Sequence, residues 1–417
     1  MIGIVSPIDS VRYRFAWEQW LSPIPIQFLD IKEVPQFQGK IIDHGGLYPD
    51  ANFSFPMENR FFWEDEFTDI EQWRKYLESK SFSTQLPPGD FLLAVFYLYA
   101  RLDEYFSNHL DELGRFQAIH AVQSHWSGVQ IPYLDFWRKS LLAQLKMTDP
   151  YVTNKTLTVD VDSAFAFSHK GWYRTLGGFA KDFLGLKMNQ MWDRFQVLCL
   201  GKKDPYNTYD WIQVKAQDSD WQLVYFLLVA DFNRYDIGLP FQQGKFRNWM
   251  KDLSRKNEVG WHPGFASHED ESRWRMELNR INAVVNGKVE RARMHYLKMQ
   301  LPTTYRQLID NQISQDFTMG FAETIGFRAG TSRPFFWFDW KANQQQGLQI
   351  VPFCYMEHSL RHYMKCTPAQ AIENINAIKT SIKESQGDCC ILWHNSSVSE
   401  YGEWVGWQQV LLHTLKE

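Results

Sequence analysis

From about residue 155 onward, short apolar runs alternate with longer amphipathic stretches. The runs are 157–161 (LTVDV), 223–230 (LVYFLLVA), 258–262 (EVGWH), 294–299 (MHYLKM), 349–356 (QIVPFCYM) and 389–394 (CCILWH). Between them the pattern predicts helices over 244–256, 269–286, 304–312 and 368–384. Short apolar runs separated by helices predict parallel strands, in an open sheet or a β/α barrel. The earlier part reads differently, with a strand at IGIVS, helices over 91–106 and 133–145, and a loop-rich middle over 35–56. The polar stretch 146–155, with Pro150, reads as a domain boundary. The expected organisation is an α/β chain, with an N-terminal mixed α/β domain over 1–150 and the alternating unit over 151–417.

The runs share a property at their ends. LTVDV contains Asp160 and is followed by Asp162, and LVYFLLVA is followed by Asp231. EVGWH ends in His262, MHYLKM holds His295, QIVPFCYM is followed by Glu357 and His358, and CCILWH ends in His394. In β/α barrels the chemistry sits at the carboxyl ends of the strands. Polar strand-end loops are the plainer alternative, and the repetition of Asp and His favours a site.

In a strand, residues i and i+2 share a face, which puts Asp160 beside Asp162. Two close carboxylates ionise together only when a cation or an arginine is near, so one would ligate a metal while the other acts as a base. A solvated strand end is the competing reading. In EVGWHPG, Gly260 permits a close approach and Pro263 biases His262 to an extended backbone. His262 is then either a metal ligand or a packed core histidine, and His268 is expected in solvent. In RMHY the same period of two puts Arg293 and His295 on one face. His295 would complete a metal site with Asp162 and His262, and Arg293 would hold Asp160 ionised; a mixed polar strand is the alternative. In GFRAGTSRPF (326–335), Arg328 sits in a constrained loop, and the aromatics that follow, Trp337 among them, either wall a sugar cleft or pack in the core. Arg328, Trp337 and Trp393 are the candidate substrate-binding residues. His394 is a candidate general acid. Glu403, Trp404 and Trp407 are expected in a closing helix, Cys389 and Cys390 as buried strand residues, and Arg101, Asp103, Glu104 and Tyr105 on an exposed helical face, with contact to the barrel or the substrate as the alternative.

Composition narrows the classes. The 417 residues are 44% hydrophobic and 22% charged, which excludes a disordered or fibrous chain. The 44 Lys and Arg against 48 Asp and Glu leave a net charge of −4, and a molecule so balanced attracts no nucleic acid as its main partner. The aromatic share, 16%, is high enough to supply both core and stacking surface for sugar rings. The apolar stretch 91–100 is about half of the roughly 20 residues that span a bilayer, so no transmembrane segment is expected. MIGIVSPIDSVRYRF lacks the basic-then-apolar order of a secretory leader. Five cysteines without a C-x-x-C pair point to a reducing, cytoplasmic setting. No G-x-G-x-x-G, Walker, G-x-S-x-G or H-E-x-x-H motif is present, which weakens nucleotide, serine-hydrolase and zincin readings.

Taken in order, TVDVD, EVGWHP, RMHY and ILWH resemble the motif series of polysaccharide deacetylases, carbohydrate esterase family four, over residues 156–417. YFLLVADFNRYD, EVGWHPGFAS, RMHYLKMQLPTTYR, DFTMGFAETIGFRAGTSRPF and LWHN are similar to a divergent branch with an extra N-terminal domain, which FYLYARLDEYF and LDELGRF also resemble. The resemblance implies an α/β fold, a deformed (β/α) barrel of the polysaccharide deacetylase type preceded by a mixed α/β N-terminal domain. It also implies one divalent metal, zinc, and hydrolysis of an N-acetyl or O-acetyl group on a sugar. By the same resemblance Asp160 matches the base, Asp162 the metal-binding aspartate, His262 the first metal histidine, Arg293 the residue orienting the base and His394 the acid. Two departures stand out: Ala266 occupies the place of the second metal histidine, and D-V-D replaces adjacent aspartates. His295 as third ligand follows from strand geometry instead. The expected function is metal-dependent removal of an acyl group from an acylated sugar or glycan precursor. The alternatives are a catalytically silent carbohydrate-binding protein and an amidohydrolase or deformylase acting on a non-polysaccharide amide.

Overall fold

The computed structural model describes all residues of the chain except Asp65, Phe106, Asn108, Asn286 and Glu417. The first strands, β1 (Ile2–Val5), β2 (Ile26–Leu29), β3 (Lys40–His44) and β4 (Phe53–Phe55), form a parallel four-stranded sheet in the order β2-β1-β3-β4. The stretch expected as loop over 35–56 thus carries two strands, whose mixed polarity hid them.

The second sheet has nine strands: β5 (Lys155–Val161), β6 (Gln222–Leu228), β7 (Glu258–His262), β8 (Arg291–Ala292), β9 (Gln315–Asp316), β10 (Phe335–Asp339), β11 (Gln344–Ile350), β12 (Tyr355–Met356) and β13 (Cys389–His394). Their order is β10-β11-β9-β8-β7-β6-β5-β13-β12, parallel throughout except for the β10–β11 pair. β5 and β6 are exposed at their first residue and buried on both faces over their last five, as parallel strands covered on both sides are. The two flanks of the sheet are joined by the chain itself. β11 pairs with β9, β12 pairs with β13, and Val351–Cys354 between them bond to both flanks: Val351 N–H donates to Asp316 O (2.8 Å), and Cys354 N–H to Cys390 O (2.9 Å). Val224, Phe226, Phe317, Phe353, Cys390 and Leu392 pack together in one buried cluster. Gly320 lies against the Phe353 ring, where a Cβ would sit 2.2 Å from it.

Helices Tyr209–Asp218, Gly244–Lys256, Glu271–Asn282, Thr303–Asp310 and Pro368–Ser385 alternate with these strands. Their starts are chemically marked. Asp270 accepts from the Ser272 and Arg273 amides, and Thr367 and Gln370 form a reciprocal cap ahead of Pro368. The helix expected over 269–286 therefore begins after its cap, and its last residue, Asn286, lies outside the described residues. So does Glu417, the end of the unit expected over 151–417.

Several expectations need correction. The helix expected over 91–106 is two helices, Leu92–Tyr99 and Leu102–Tyr105, broken where Arg101 takes a left-handed backbone (φ +54°); its expected last residue, Phe106, lies outside the described residues. The MHYLKM run is not a strand: β8 stops at Ala292, and His295–Leu297 make a single 3₁₀ turn with Tyr296 at φ +60°. Trp404 and Trp407 precede the last helix, Gln408–Leu415, rather than lying in it. The helices Trp172–Leu184 and Met188–Cys199 had no counterpart in the apolar pattern.

One hydrophobic cluster extends from Ile2 to Leu415 and includes residues of both sheets. The N-terminal helix Val11–Leu21 packs on the β10–β11 pair, with the Phe15 and Phe338 rings 4.8 Å apart. The Arg101–Tyr105 face, expected in solvent, is buried here. Glu104 accepts from Arg101 and from Arg328, whose Nε lies 2.9 Å away, and all three side chains are at most 4% exposed. Truncating one member of such a buried group leaves uncompensated charge. Glu104→Ala should lower unfolding free energy by about 3–5 kcal/mol, read by chemical denaturation.

Candidate active site

Strand register assembles the site. β5 lies between β13 and β6, with Asp160 level with His394 on one side and Phe226 on the other. β7 follows β6 and brings His262 level with Leu228. Gly260 makes this approach possible, because a Cβ there would lie 2.4 Å from the Phe226 ring. Beyond β8, Arg293 N–H donates to Trp261 O and His295 N–H to Pro263 O, so both residues continue along β7 without belonging to a strand.

Three imidazoles converge on Asp162. Its Oδ1 lies 3.2 Å from His262 Nε2, and its Oδ2 lies 3.4 Å from His295 Nε2 and 3.6 Å from His394 Nε2. Each ring is fixed through its other nitrogen: His262 Nδ1 to Arg293 O (2.5 Å), His295 Nδ1 to Asp236 Oδ1 (2.8 Å) and His394 Nδ1 to Glu357 Oε1 (2.8 Å). Beside them, Asp160 receives Arg293 Nη1 at 2.9 Å and faces His262 Nε2 at 3.6 Å. Arg293 is fully buried and is also held by Thr158 and Phe317 O.

The charges are mutually dependent. Burial would raise the Asp162 carboxyl, but His295 and His394 hold it well below the usual range. Burial would depress His295 and His394, yet Asp162 with Asp236 raises the first to about 10, and Glu357 with Asp162 raises the second to about 9. Asp236, pushed up by burial, is pulled down to about 2 by His295 and Asn233. The donor set fits a divalent cation. A carbonyl can only accept, so His262 Nδ1 carries the proton and its Nε2 faces the Asp162 and Asp160 oxygens. That Nε2 and Asp162 Oδ1 are both buried without a hydrogen-bond partner. Asp162, His262 and His295 offer ligand atoms all within 4.8 Å of one another. Imidazoles locked by a carbonyl or carboxylate on the far nitrogen are the usual outer shell of a metal site.

The structure thus brings Asp160, Asp162, His262, Arg293, His295 and His394 together. It places Arg328, Trp337 and Trp393 elsewhere. Arg328 is 1% exposed and committed to Glu104 and Gly320 O, and both tryptophans are fully buried in the main core, so none presents a face to a sugar. His268 is half-buried against Thr304 rather than in solvent, and burial lowers it to about 4. The five cysteines are free, and Cys389 and Cys390 are buried in β13. Sequence reasoning missed Asp236, in a loop with no periodic signal. It noted Glu357 only as a strand-end residue, without its role as the partner of His394. It also missed the half-buried rim aromatics Tyr235, Phe265 and Tyr296, whose rings lie within 4.3–6.0 Å of one another beside His295.

Comparison with known proteins gives two kinds of match. Residues 11–150 match a family of unknown function (DUF7033). No curated protein matches the chain. Among solved structures, a provisionally named polysaccharide deacetylase from Mycobacterium smegmatis is 14% identical, covering 64% of this chain and 86% of that one at a TM-score of 0.40. The polysaccharide deacetylase Bc1974 from Bacillus cereus is 12% identical over 64% and 88%, at 0.30. The allantoinase Puue is 8% identical over 63% and 83%, at 0.38.

The turn after His262 is braced by a second carboxyl. Glu277 accepts from the Gly264 amide (2.9 Å) and the Ser267 hydroxyl, and burial raises it from 4.5 to about 7. The folded state therefore binds this proton more tightly than the unfolded chain. The stability it contributes is fully present below pH 4.5 and lost as pH rises through 7, by about 3 kcal/mol in all. Glu277→Gln can accept from the Gly264 amide through its oxygen and donate to the Ser267 hydroxyl through its NH2, without the charge. Thermal melts at pH 8 should find that variant more stable than the wild type, with the advantage vanishing near pH 5.

Proposed function

We propose that this chain is a metal-dependent hydrolase that removes an acyl group, N-acetyl in the first instance, from a carbohydrate. The observation that carries the reading is the Asp162 carboxylate facing three locked imidazoles, with a second carboxylate, Asp160, held beside it by a buried arginine. The same reading takes the ring of strands β5–β9, β11–β12 and β13 as a deformed barrel with this cluster at its carboxyl-end mouth. It places a domain boundary within 146–155, which the family match ending at residue 150 supports.

Asp162, His262 and His295 would hold the ion, and two imidazoles with a carboxylate are a donor set suited to zinc. When bound, such an ion acidifies water and polarises an acyl carbonyl. Asp160, oriented by Arg293, takes the proton from the attacking water. His394, protonated and gripped by Glu357, gives a proton to the departing amine. Tyr235, Phe265 and Tyr296 offer apolar ring faces at the rim, the kind of surface on which a sugar stacks. Among the described residues no helix is long and apolar enough to cross a membrane.

Asp160→Asn should cut hydrolysis of N-acetylated amino sugars by about 10²–10⁴-fold while leaving bound zinc unchanged by elemental analysis. His295→Ala should lose the metal, and Asp236→Asn should weaken its binding by about 10–100-fold in chelator competition. Wild-type protein that takes up no divalent ion, or that leaves a panel of N- and O-acetylated sugars intact, would sink the reading.

A further inference from the structure

The two helices Trp172–Leu184 and Met188–Cys199 form a hairpin around a buried ion pair, with large apolar side chains on its exposed face. Their only buried residues are Asp182 and Arg194, paired across the hairpin at 2.8 Å. Gly178 leaves room for that guanidinium, since a Cβ there would lie 2.5 Å from Nη1. Most of the large apolar side chains are exposed: Tyr173 is 72% exposed, Leu184 80% and Leu186 81%, with Trp172, Phe183 and Trp192 also more than half exposed. The patch continues past Arg174, which lies over the Phe232 ring (4.3 Å) and donates to Ile237 O, both residues being exposed themselves. Monomeric proteins rarely leave so much contiguous apolar surface uncovered.

Charge decides what covers it. Between Lys170 and Lys203 the chain carries seven lysines and arginines against two aspartates, in a molecule whose net charge is −4. Lys181, Lys187, Lys202 and Lys203 are exposed around the apolar residues. Lysine is depleted at protein–protein interfaces. Trp, Phe and Leu on one face with Lys and Arg flanking them is instead the composition of helices that lie in a membrane interface, and tryptophan and tyrosine settle at the headgroup level.

We infer that the hairpin Trp172–Cys199 is a docking element for an anionic lipid surface. Its placement joins it to the site. Leu186, Met188 and Asp193 line a cleft of about 900 Å³ with Tyr401 and Trp404. The Trp404 ring lies 4.8 Å from His358, which lies 4.2 Å from His394. Docking through the hairpin therefore holds this cleft, and the histidines beyond it, next to the lipid surface. The inference stands whether or not the chain is a hydrolase.

Cosedimentation of the full chain with vesicles of phosphatidylcholine and phosphatidylglycerol, and of phosphatidylcholine alone, tests it. The wild type should pellet with the anionic vesicles and much less with the neutral ones. In about 1 M salt, where the Debye length is about 3 Å, the difference should vanish. Lys181→Glu/Lys187→Glu should weaken partitioning by about tenfold or more. Leu184→Ser/Leu186→Ser, at positions four-fifths exposed, should do the same with an unchanged circular dichroism spectrum. A wild type that stays in the supernatant, or pelleting unaffected by both variants, overturns the inference. So does a dimer by light scattering that the leucine variant converts to monomer, since a second copy would then be the occupant.

Discussion

The arrangement depends on burying one arginine. Arg293 is fully buried over the Phe226, Phe353 and Phe317 rings, at 4.7, 5.4 and 5.9 Å, and its charge is matched by Asp160 at 2.9 Å. Taking either group out of water alone costs several kcal/mol, so each is tolerable only because the other is there. The pair anchors Asp160 at the end of β5. The Arg293 carbonyl, from the same residue, fixes His262. One side chain and its own backbone thus position both a carboxylate and an imidazole of the site.

Around this anchor the site is built in layers. The inner groups, Asp162 and the three histidines, draw together by opposite charge, yet each ring on its own could still turn. The outer groups remove that freedom: Asp236 holds His295, Glu357 holds His394, and Glu277 braces the turn that follows His262. Gly264 sits where these supports meet, since a Cβ there would crowd Ala230 at 2.6 Å and the Glu277 and Asp236 carboxylates at 3.0 and 3.1 Å. Such a frame fixes side chains before any ligand arrives, which is how a site avoids the cost of ordering them later.

The N-terminal part is bound to this unit by chemistry as well as packing. Aromatic contacts cover the β10–β11 pair, and the Glu104 carboxylate reaches across to Arg328. A fully buried charged contact of this kind constrains how the two parts sit, because few other placements would satisfy both groups. The hairpin after β5 is organised in the opposite sense, with one ion pair, Asp182–Arg194, buried within it and its large apolar side chains mostly exposed among lysines.

The sequence by itself determined the alternation of strands and helices, because apolar runs and capping residues are local signals, and it marked Asp160, Asp162, His262, Arg293, His295 and His394 because strand ends are short and their polar residues stand out. It could not separate Arg328, Trp337 and Trp393 from a binding surface, since an aromatic-rich stretch looks the same whether it lines a cleft or fills a core. Nor could it find Asp236, whose loop has no periodicity, or decide between solvent and a buried contact for the Arg101–Tyr105 face, whose partner Arg328 lies more than two hundred residues away. Which polar groups meet is decided by the register of parallel strands and by the loops that cross their ends. Those distances are set by tertiary packing, and nothing in the local pattern of residues encodes them.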